Sequence, residues 1–505
     1  MKKFNLLFIL LILLTLFLRL FFINLTILES DMFRDLDVAK DIINGNIRYT
    51  GIGVYSDDSG MQQSFGPLMH YMTAVSFLIY NNSLSPVFMV AILNGLAVLL
   101  CFLFCKKYFN EKVAFFASFL YTVNPWHIYL SHIFWNPNFL PFFSILFFYF
   151  LFGYVIDKKD YFLIISCFIL SLMLHFHLTP LFFIPVIILS ILFFRRDMKL
   201  KYYFYSLIAF ILPFLPFIYY NLKMGYSFFG PILYGSSREA SSFFTSLSEA
   251  FGVPIMLSTN YLGKYVYGNS NIFGYSILQY FYFFITILLV ILFLASFIFL
   301  LFKIKTYKKF MQNKKYSLLF LIFILSCILN FFRFAGISPH YYFFLYPIQF
   351  IIIGIFLAFL YKRFVNNKLF IGIFLAFLIV LIFNSYLLFN YVNKNGATAY
   401  PGEYSIPYKI KLEVINYIFN DAKSNNIDIV FFRYGKSFKY LLDLTDKNIT
   451  YYYLNDISKF KDVHGYLILD RISYHRTPEL TPEENSYFDN LSNKTVIKNV
   501  EIYKF

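Results

Sequence analysis

Charged residues are scarce in this 505-residue chain: Asp, Glu, Lys and Arg make up 14% of it, whereas 59% of the residues are hydrophobic. A soluble domain is about a quarter charged, because its surface must face water. Long apolar runs recur from residue 4 to about residue 392, and many approach the roughly 20 residues that a helix needs to cross a bilayer. The scarcity of charge excludes one large soluble domain and predicts a membrane protein with many helices.

Cysteine is also rare, and several familiar motifs are missing. Cys101, Cys105, Cys167 and Cys327 all lie inside apolar runs, which excludes a disulfide framework in the loops. The sequence has no Walker A motif, dinucleotide-binding glycine pattern, nucleophile elbow or zinc-protease helix. An ATP-driven pump is thereby excluded. Neither inverted hydropathy halves nor paired broken helices at mid-membrane indicate a secondary transporter.

The net charge of +16 comes from short loops rather than from one basic surface. Lys and Arg concentrate at residues 195–201, 303–315 and 362–368. Such loops are typical of the cytoplasmic side of a membrane protein. A nucleic-acid-binding protein needs its basic residues clustered on one folded face. The charge distribution argues against a nucleic-acid partner and predicts a multi-pass protein of the plasma membrane.

The order of the apolar runs predicts a topology with a cytoplasmic N-terminus. The first run is long and lacks a small-residue cleavage site, so we interpret it as a retained helix rather than a signal peptide. Pro125 and Pro137 predict broken helices within 113–136, which is too short for two ordinary crossings. The odd number of crossings places the C-terminus outside. The thirteen predicted crossings lie at about 4–24, 67–80, 86–105, 113–125, 126–136, 138–155, 161–177, 180–194, 203–222, 275–302, 316–335, 341–361 and 369–392.

Two long outer loops and a C-terminal segment lie outside these crossings. Residues 25–66 carry seven acids against three bases, and residues 223–274 are rich in Gly, Ser and Tyr. Beyond the last crossing the composition becomes that of a soluble domain, with an amphipathic helix at 408–424 followed by strand-like runs. We predict a polytopic α-helical membrane domain over 1–392 and a small extracytoplasmic α/β domain over 393–505.

The first outer loop contains the most informative stretch of the chain. Apolar residues spaced by four, three and four predict an amphipathic helix on the membrane surface. The apolar stripe consists of Met32, Leu36, Ala39 and Ile43. Asp31, Arg34 and Asp35 share a polar face, where a carboxylate can take a proton from an acceptor and an Arg can hold a phosphate. The alternative is a solvated loop helix with a structural ion pair.

Four histidines fall near the outer ends of predicted crossings. His132, His175, His177 and His340 lie in turns that the predicted topology brings to one membrane level. Ionisable groups beside membrane segments are costly and often functional, although a single interfacial His is more often a packing residue. Their joint outer placement favours a functional cluster, to which Asn136, four residues after His132, also belongs.

Two arginines and a tyrosine complete the polar candidates. Arg333, near the outer end of one crossing, is a candidate clamp for a lipid phosphate. Snorkelling to the interface is the alternative for Arg333 and the favoured interpretation for Arg19. Tyr341, next to His340, fits a ligand site and an aromatic belt equally well.

The sequence leaves the need for a metal open. His175 and His177 are two residues apart and do not share a helix face, and no fixed spacing of His, Cys and acids occurs. A divalent metal would need Asp31 and a histidine from another segment as its ligands.

These motifs, in their order and membrane side, resemble the GT-C superfamily of membrane glycosyltransferases, most closely the lipid A aminoarabinose transferases and the protein O-mannosyltransferases. Residues 31–34 (Asp-Met-Phe-Arg) resemble the acidic pair and Arg that open the family's first outer loop, with Met32 in place of the second acid. Residues 66–71 (Gly-Pro-Leu-Met-His-Tyr) resemble the Pro-containing start of its second crossing. Gln63 and Ser64 stand where an acid often precedes that start.

Two later segments continue the resemblance. In the stretch from Pro125 to Asn138, His132 and Asn136 take the places of the family's Arg and acid. The dipeptide at 340–341 (His-Tyr) mirrors an Arg-Tyr that precedes a late crossing. The predicted architecture of thirteen crossings and an outer C-terminal domain also agrees with the family.

The resemblance implies a transferase that takes a sugar from a polyprenyl-phosphate donor, with inversion at the anomeric carbon. Asp31 would act as general base toward a lipid, glycan or protein acceptor. Arg34, Arg333, His340 or His175 would neutralise the charge of the departing lipid phosphate. A phosphate leaving group needs no strong acid.

Two other classes stay open at this point. One is a transporter or flippase of lipid-linked sugars. The other is a non-catalytic membrane scaffold, encouraged by the substitutions at Met32, Ser64 and Asn136. An oligosaccharyltransferase is disfavoured, because Trp126 and Trp135 are the only tryptophans and a Trp-Trp-Asp motif cannot occur.

Overall fold

The computed structural model describes the membrane region almost completely and the C-terminal region in part. The described residues are 2–28, 30–51, 53–56, 62–64, 66–224, 242–262, 276–332, 337–395, 406–425, 429–432, 438, 441, 451–454, 466–470, 493–498 and 500–504. Helices make up nearly all of the described chain up to Asn395.

The helices follow one another with short connections. Helix α6 begins at a proline, and α4, α7 and α16 have one at their second residue, which suits the first helical turn because it needs no N–H donor. They are α1 (Lys2–Leu20), α2 (Ser30–Ile43), α3 (Leu68–Ile79), α4 (Ser85–Tyr108), α5 (Glu111–Val123), α6 (Pro125–Ser131), α7 (Leu140–Val155), α8 (Tyr161–Leu174), α9 (Phe183–Phe194), α10 (Leu200–Ile211), α11 (Leu215–Met224), α12 (Phe243–Leu257), α13 (Ser276–Ile304), α14 (Tyr307–Gln312), α15 (Lys314–Phe331), α16 (Tyr346–Arg363), α17 (Asn367–Asn395) and α18 (Tyr408–Asn425). Short 3₁₀ turns occur at Ile23–Leu25, Asn136–Phe139, Thr179–Phe182, Leu212–Phe214 and Pro339–Leu345.

The described part contains eight helices that are long and apolar enough to cross a bilayer. Shorter apolar helices accompany them, among them α3, α8, α9 and α12. Their backbone polar groups are satisfied within each helix, which is what a lipid environment requires. The protein is therefore a polytopic α-helical membrane protein, as the sequence predicts.

The three basic loops lie on one face of the helical bundle, which we call the basic face. Lys314 Nζ donates to the Phe194 carbonyl oxygen at 3.4 Å, which joins the loops at 195–201 and 303–315. The Lys112 ammonium lies 4.4 Å from the centre of the Tyr361 ring, directly before the third basic loop at 362–368. The opposite face, which carries the first outer loop, is called the site face below.

Two of the thirteen predicted crossings are much shorter than a bilayer. At 1.5 Å per residue, α3 and α6 are about 18 and 10 Å long, against roughly 30 Å of hydrocarbon. The helices at 67–80 and 126–136 are therefore too short to span the hydrocarbon on their own, and the number of crossings stays a prediction. The loop after α4 lies on the basic face, since Lys315 Nζ donates to the Tyr108 carbonyl oxygen at 3.3 Å. The placement of the two chain ends on opposite faces stays a prediction as well.

A close helix contact holds the middle of the bundle together. Helices α5 and α16 approach so closely at Gly354 that a Cβ there would lie 2.7 Å from the Ala117 Cβ. Small residues allow such approach, and membrane helices gain their association energy from this kind of packing. The first turns of α16 are almost entirely buried by their neighbours.

Arg19 does not snorkel to the interface, contrary to the sequence-based interpretation. Its side chain is fully buried. One guanidinium nitrogen, Nη2, donates to His127 Nδ1 at 2.7 Å, and Nη1 donates to the Thr122 carbonyl oxygen at 3.1 Å. Helix α5 ends at Val123, which leaves the Thr122 carbonyl without a partner in its own helix. The break between α5 and α6 therefore supplies the acceptors that hold the buried cation.

The Arg19 contact fixes the direction of a longer hydrogen-bond chain. A guanidinium can only donate, so His127 Nδ1 accepts and its Nε2–H donates to Asn94 Oδ1 at 2.9 Å. Asn94 Nδ2 in turn donates to the Asn138 carbonyl oxygen at 2.8 Å. Asn138 Nδ2 donates to the Ile133 carbonyl oxygen at 2.8 Å. This chain ties α1 and α4 to the 131–138 loop.

The described C-terminal residues form one helix and two small sheets. Strands Ile429–Phe432 and Tyr451–Leu454 pair in parallel. Strands Tyr466–Asp470, Asn493–Ile497 and Val500–Lys504 form an antiparallel sheet with the last strand in the centre. The apolar face predicted for α18 is buried and consists of Ile410, Val414, Ile415 and Ile418. Helix and strands thus agree with the predicted α/β composition, and the division at residue 393 stays a prediction.

Helix α18 contacts the start of the first outer loop. The Tyr408 N–H donates to the Thr26 carbonyl oxygen at 2.8 Å, and Pro407 forms a bridge with Ile27. The fully buried Lys411 donates from Nζ to the Leu28 carbonyl oxygen. The C-terminal region therefore holds the backbone immediately before α2.

Candidate functional site

The predicted helix of the first outer loop is present as α2, at residues 30–43. Met32, Leu36 and Ala39 are buried, as the apolar stripe requires. Ile43, assigned to the same stripe, is 40% exposed because the helix ends there and no neighbour covers the last turn. Phe33 is buried as well, so α2 is enclosed on more sides than a helix lying freely on the membrane surface.

Asp35 forms the centre of a buried polar contact between α2 and α3. Its Oδ1 lies 3.3 Å from His70 Nε2, and both side chains are 4% exposed. Arg34 Nη2 donates to the same oxygen at 3.2 Å, although the Arg34 side chain is 46% exposed. Because the ionised carboxylate only accepts, His70 presents its proton on Nε2. Asp35 therefore does not lie open to a cavity with Arg34, as the shared polar face predicts, but fastens α2 to α3.

Asp31 lies in the first turn of α2, four residues before Asp35. Residues four apart lie on the same side of a helix. The side chain of Asp31 lies outside the described part of the structure, so its predicted role as a base stays a prediction. Arg333 likewise lies outside the described residues.

Gly66 brings the start of α3 against His175, at the end of α8. A Cβ at Gly66 would lie 1.9 Å from His175 Nδ1, a distance that no real contact allows. The His175 ring stacks on Phe214 with 4.4 Å between centroids. Both ring nitrogens are buried and make no hydrogen bond within the described residues, although the Pro213 carbonyl lies close enough to interact. Such an imidazole is costly unless something binds it.

Replacement of Gly66 by Ala is expected to displace the His175 ring and to destabilise the protein by about 1–3 kcal/mol, because the new methyl group overlaps the imidazole. The measurement is the midpoint of thermal unfolding in detergent. Gly252→Ala in α12 is the matched control, because its Cβ would meet nothing within 4 Å. Equal midpoints for the two variants would contradict the described contact.

His177 and His340 meet on the site face, as predicted. Their ring centroids are 5.4 Å apart, and Trp135 lies 4.7 Å from His340. Tyr341 packs against both histidines, at 5.5 and 4.3 Å. The Thr179 N–H donates to His177 Nδ1 at 3.2 Å, so the proton of the neutral ring is on Nε2. His177, His340, Tyr341 and Trp135 thus form a second group of residues at the site face, which we call the histidine cluster.

The segment 175–177 links the two polar groups. His175 contacts Gly66, which lies four residues before His70, and His70 is the partner of Asp35. His177 belongs to the histidine cluster. Three distant parts of the chain, the first outer loop, the end of α8 and the turn before α16, therefore meet at the site face. This is the convergence that the predicted topology requires.

His132 does not join the histidine cluster, whereas the role of Asn136 stays a prediction. His132 Nδ1 donates to the Ile128 carbonyl oxygen at 2.7 Å, and its ring faces Phe389 of α17 at 5.0 Å. The short helix α6 ends at Ser131 and turns this residue toward α17 rather than toward His340. Asn136 is buried at the start of the 3₁₀ turn that follows Trp135.

Within the described residues, no three His, Cys, Asp or Glu side chains come together as a metal site. The only close acid–imidazole pair at the site face is Asp35 with His70, as far as the described side chains extend. Asp31 is not among these side chains, so the question of a divalent metal is still open.

A comparison with protein families matches one segment of the chain. Residues 64–220 fit the family model described as dolichyl-phosphate-mannose-protein mannosyltransferase. This segment contains His70, His175 and His177 together with the Arg19 acceptor His127. A search of curated proteins finds no match.

Solved structures extend the likeness to the whole chain. ArnT from Cupriavidus metallidurans bound to undecaprenyl phosphate aligns with a TM-score of 0.57 at 9% identity, covering 100% of this chain and 98% of that chain. ArnT in the apo state aligns with a TM-score of 0.58 at 11% identity and the same coverage. The chain has the GT-C fold. This agrees with the resemblance found in the sequence motifs.

Three site residues of this GT-C chain were not singled out from its sequence. His70 lies within the Gly-Pro-Leu-Met-His-Tyr segment. Its position three residues after Pro67 places it in the first turn of the predicted helix, and this was the feature that could have pointed to it. Gly66 requires no positive φ, so only its close approach to His175 reveals its importance. Trp135 was named only as one of the two tryptophans, and its contact with His340 depends on the fold.

Proposed function

We propose that this protein transfers a sugar from a polyprenyl-phosphate donor to an acceptor at the site face, with inversion at the anomeric carbon. The observation that carries the proposal is the mannosyltransferase family match at residues 64–220, because this segment holds His70, His175 and His177 at the site face. The GT-C fold over the full chain supports it. The ArnT structure bound to undecaprenyl phosphate supports a polyprenyl phosphate as the carrier.

Asp31 is the residue that we propose as general base. Asp35 accepts hydrogen bonds from His70 and Arg34 and is buried, so it is committed to holding α2 in place. Asp31 lies one turn closer to the start of the helix, on the same side. In the proposed step its carboxylate takes the proton of the acceptor hydroxyl or amine while the acceptor atom bonds to the anomeric carbon.

The bond between the anomeric carbon and the phosphate oxygen breaks in the same step, and the electron pair leaves with the lipid phosphate. Cations and N–H donors that are positioned for this charge lower the barrier. The exposed Arg34 and the imidazoles of the histidine cluster, His177 and His340, are the candidates within the described residues. His175 and Arg333 are further candidates, the first because its buried nitrogens lack hydrogen bonds to described residues.

The orientation that we propose follows from the basic face. Short loops rich in Lys and Arg favour the cytoplasm, so the N-terminus would be cytoplasmic and the site face and C-terminal region extracytoplasmic. A lipid, a glycan or a protein on that side would be the acceptor.

The test uses purified full-length protein and a panel of radiolabelled polyprenyl-phosphate hexoses and pentoses in detergent. A transferase consumes the labelled lipid and releases unlabelled polyprenyl phosphate, with the label passing to an acceptor from a membrane extract. A flippase leaves the sugar–phosphate bond intact and instead moves the labelled lipid across reconstituted vesicles. Movement without cleavage would reject the transferase proposal in favour of a flippase, and absence of both would favour a scaffold.

A further inference from the structure

An apolar groove opens on the side of the bundle next to the basic face. It lies where α13, α14 and α15 meet, and its cavity volume is about 370 Å³. The apolar lining comes from Ile298, Leu301 and Phe302 of α13, Phe310 of α14 and Phe320 of α15. The groove ends at Lys305, directly after α13.

The corner around this groove is held by specific hydrogen bonds. Thr306 Oγ1 accepts from the Lys309 N–H at 3.2 Å and so caps α14. Asn313 Nδ2 donates to the Lys303 carbonyl oxygen at 2.7 Å, which closes the turn between α13 and α15. Ser317 Oγ donates to the Phe310 carbonyl oxygen at 2.6 Å. The groove is therefore a built feature of the fold rather than a gap between loosely placed helices.

The charge that α13, α14 and α15 contribute to this corner has one sign. Between Ser276 and Phe332 the sequence contains no Asp or Glu. Within the same stretch six lysines lie close together: Lys303, Lys305, Lys308, Lys309, Lys314 and Lys315. Lys314 and Lys315 donate to the carbonyl oxygens of Phe194 and Tyr108, which leaves the exposed Lys305, Lys308 and Lys309 at the surface.

The depth of the groove determines what can enter it. Most of its apolar lining belongs to the last two turns of the membrane-crossing helix α13, so it lies at the level of lipid acyl chains. The exposed lysines follow directly after that helix, at the level of lipid headgroups. An occupant must therefore combine a hydrocarbon chain with a negative charge at one end. Basic pockets between membrane helices are known to bind anionic lipid headgroups in this way.

We propose that this groove is a binding site for an anionic phospholipid of the membrane leaflet on the basic face. One acyl chain lies along Ile298, Leu301 and Phe302, and the phosphate is held by Lys305 and Lys308. The site is on the face opposite the histidine cluster and does not depend on the proposed transferase activity. Its role is to fix the corner formed by α13, α14 and α15.

The test is native mass spectrometry of full-length protein exchanged into detergent with added phosphatidylglycerol or phosphatidylcholine. Wild-type protein is expected to retain one phosphatidylglycerol molecule with at least about tenfold higher affinity than phosphatidylcholine. Lys305→Gln with Lys308→Gln should remove this preference. Ile298→Trp, which fills the groove and keeps every lysine, should weaken the binding of both lipids.

A charge-matched control separates a site from general surface attraction. Lys199→Gln with Lys201→Gln removes two exposed lysines from another loop of the basic face and should leave phosphatidylglycerol retention unchanged. Equal retention of the two lipids by wild-type protein would overturn the proposal. So would an equal loss of phosphatidylglycerol in the two double variants, or unchanged binding to Ile298→Trp. Circular dichroism of each variant shows whether its helices are retained.

Discussion

Replacement of Asp31 by Asn is expected to lower sugar transfer by about 10²–10⁴-fold, the range that a general base contributes. Asn has nearly the same shape as Asp but cannot accept the proton of the acceptor. Binding of the donor should change little, because the base acts on the acceptor. The measurement is the rate of polyprenyl phosphate release, together with donor affinity from a binding titration.

Asp37→Asn is the matched control, since Asp37 is exposed on the same helix and the proposal gives it no role. Full activity of the Asp31→Asn variant would reject Asp31 as the base. Asp35→Asn is a useful third variant, because the contact with His70 predicts loss of stability as well as of activity. If Asp35→Asn lost activity while Asp31→Asn retained it, and both variants stayed folded, Asp35 rather than Asp31 would be the general base.

Replacement of His127 by Leu is expected to destabilise the protein by about 3 kcal/mol, because the buried Arg19 guanidinium loses an acceptor and Asn94 loses a donor. The measurement is the midpoint of thermal unfolding in lipid nanodiscs. Since the chain of hydrogen bonds continues to Asn138, the 131–138 loop should also become more accessible to protease or hydrogen exchange.

His132→Leu provides the comparison for this second variant. His132 is equally buried, but the one side-chain hydrogen bond described for it goes to the carbonyl of Ile128 in the preceding helix α6. A smaller loss of stability is therefore expected. If His127→Leu were no less stable than His132→Leu, the Arg19 contact would contribute little, and its cation would have to be neutralised in another way.

Helix α2 could be predicted from sequence because its periodicity is local. Met32, Leu36 and Ala39 follow the helical repeat, and the structure buries all three. The burial of Asp35 could not be predicted in the same way, since it depends on His70, which is 35 residues away. The sequence identifies a polar residue on a helix, but only the packing of a second helix determines whether that residue faces water.

The histidines illustrate the same difference. His177 and His340 meet because both lie in turns at the same end of crossing helices, which the topology already predicts. His132 was grouped with them by its position, but the end of α6 at Ser131 turns it toward Phe389. Snorkelling to the interface was the favoured interpretation for Arg19. Its acceptors are an imidazole and a backbone carbonyl freed by a helix break more than 100 residues away.

The contact between Lys411 and Leu28 spans 383 residues of sequence. The ribosome must therefore extend the polypeptide at least to residue 411 before the backbone ahead of α2 can receive this hydrogen bond. A nascent or prematurely terminated chain would insert its helices and still present α2 without its final anchor. We expect the site to mature last during biogenesis, only once the C-terminal region has folded, so that incomplete copies reach the membrane inactive.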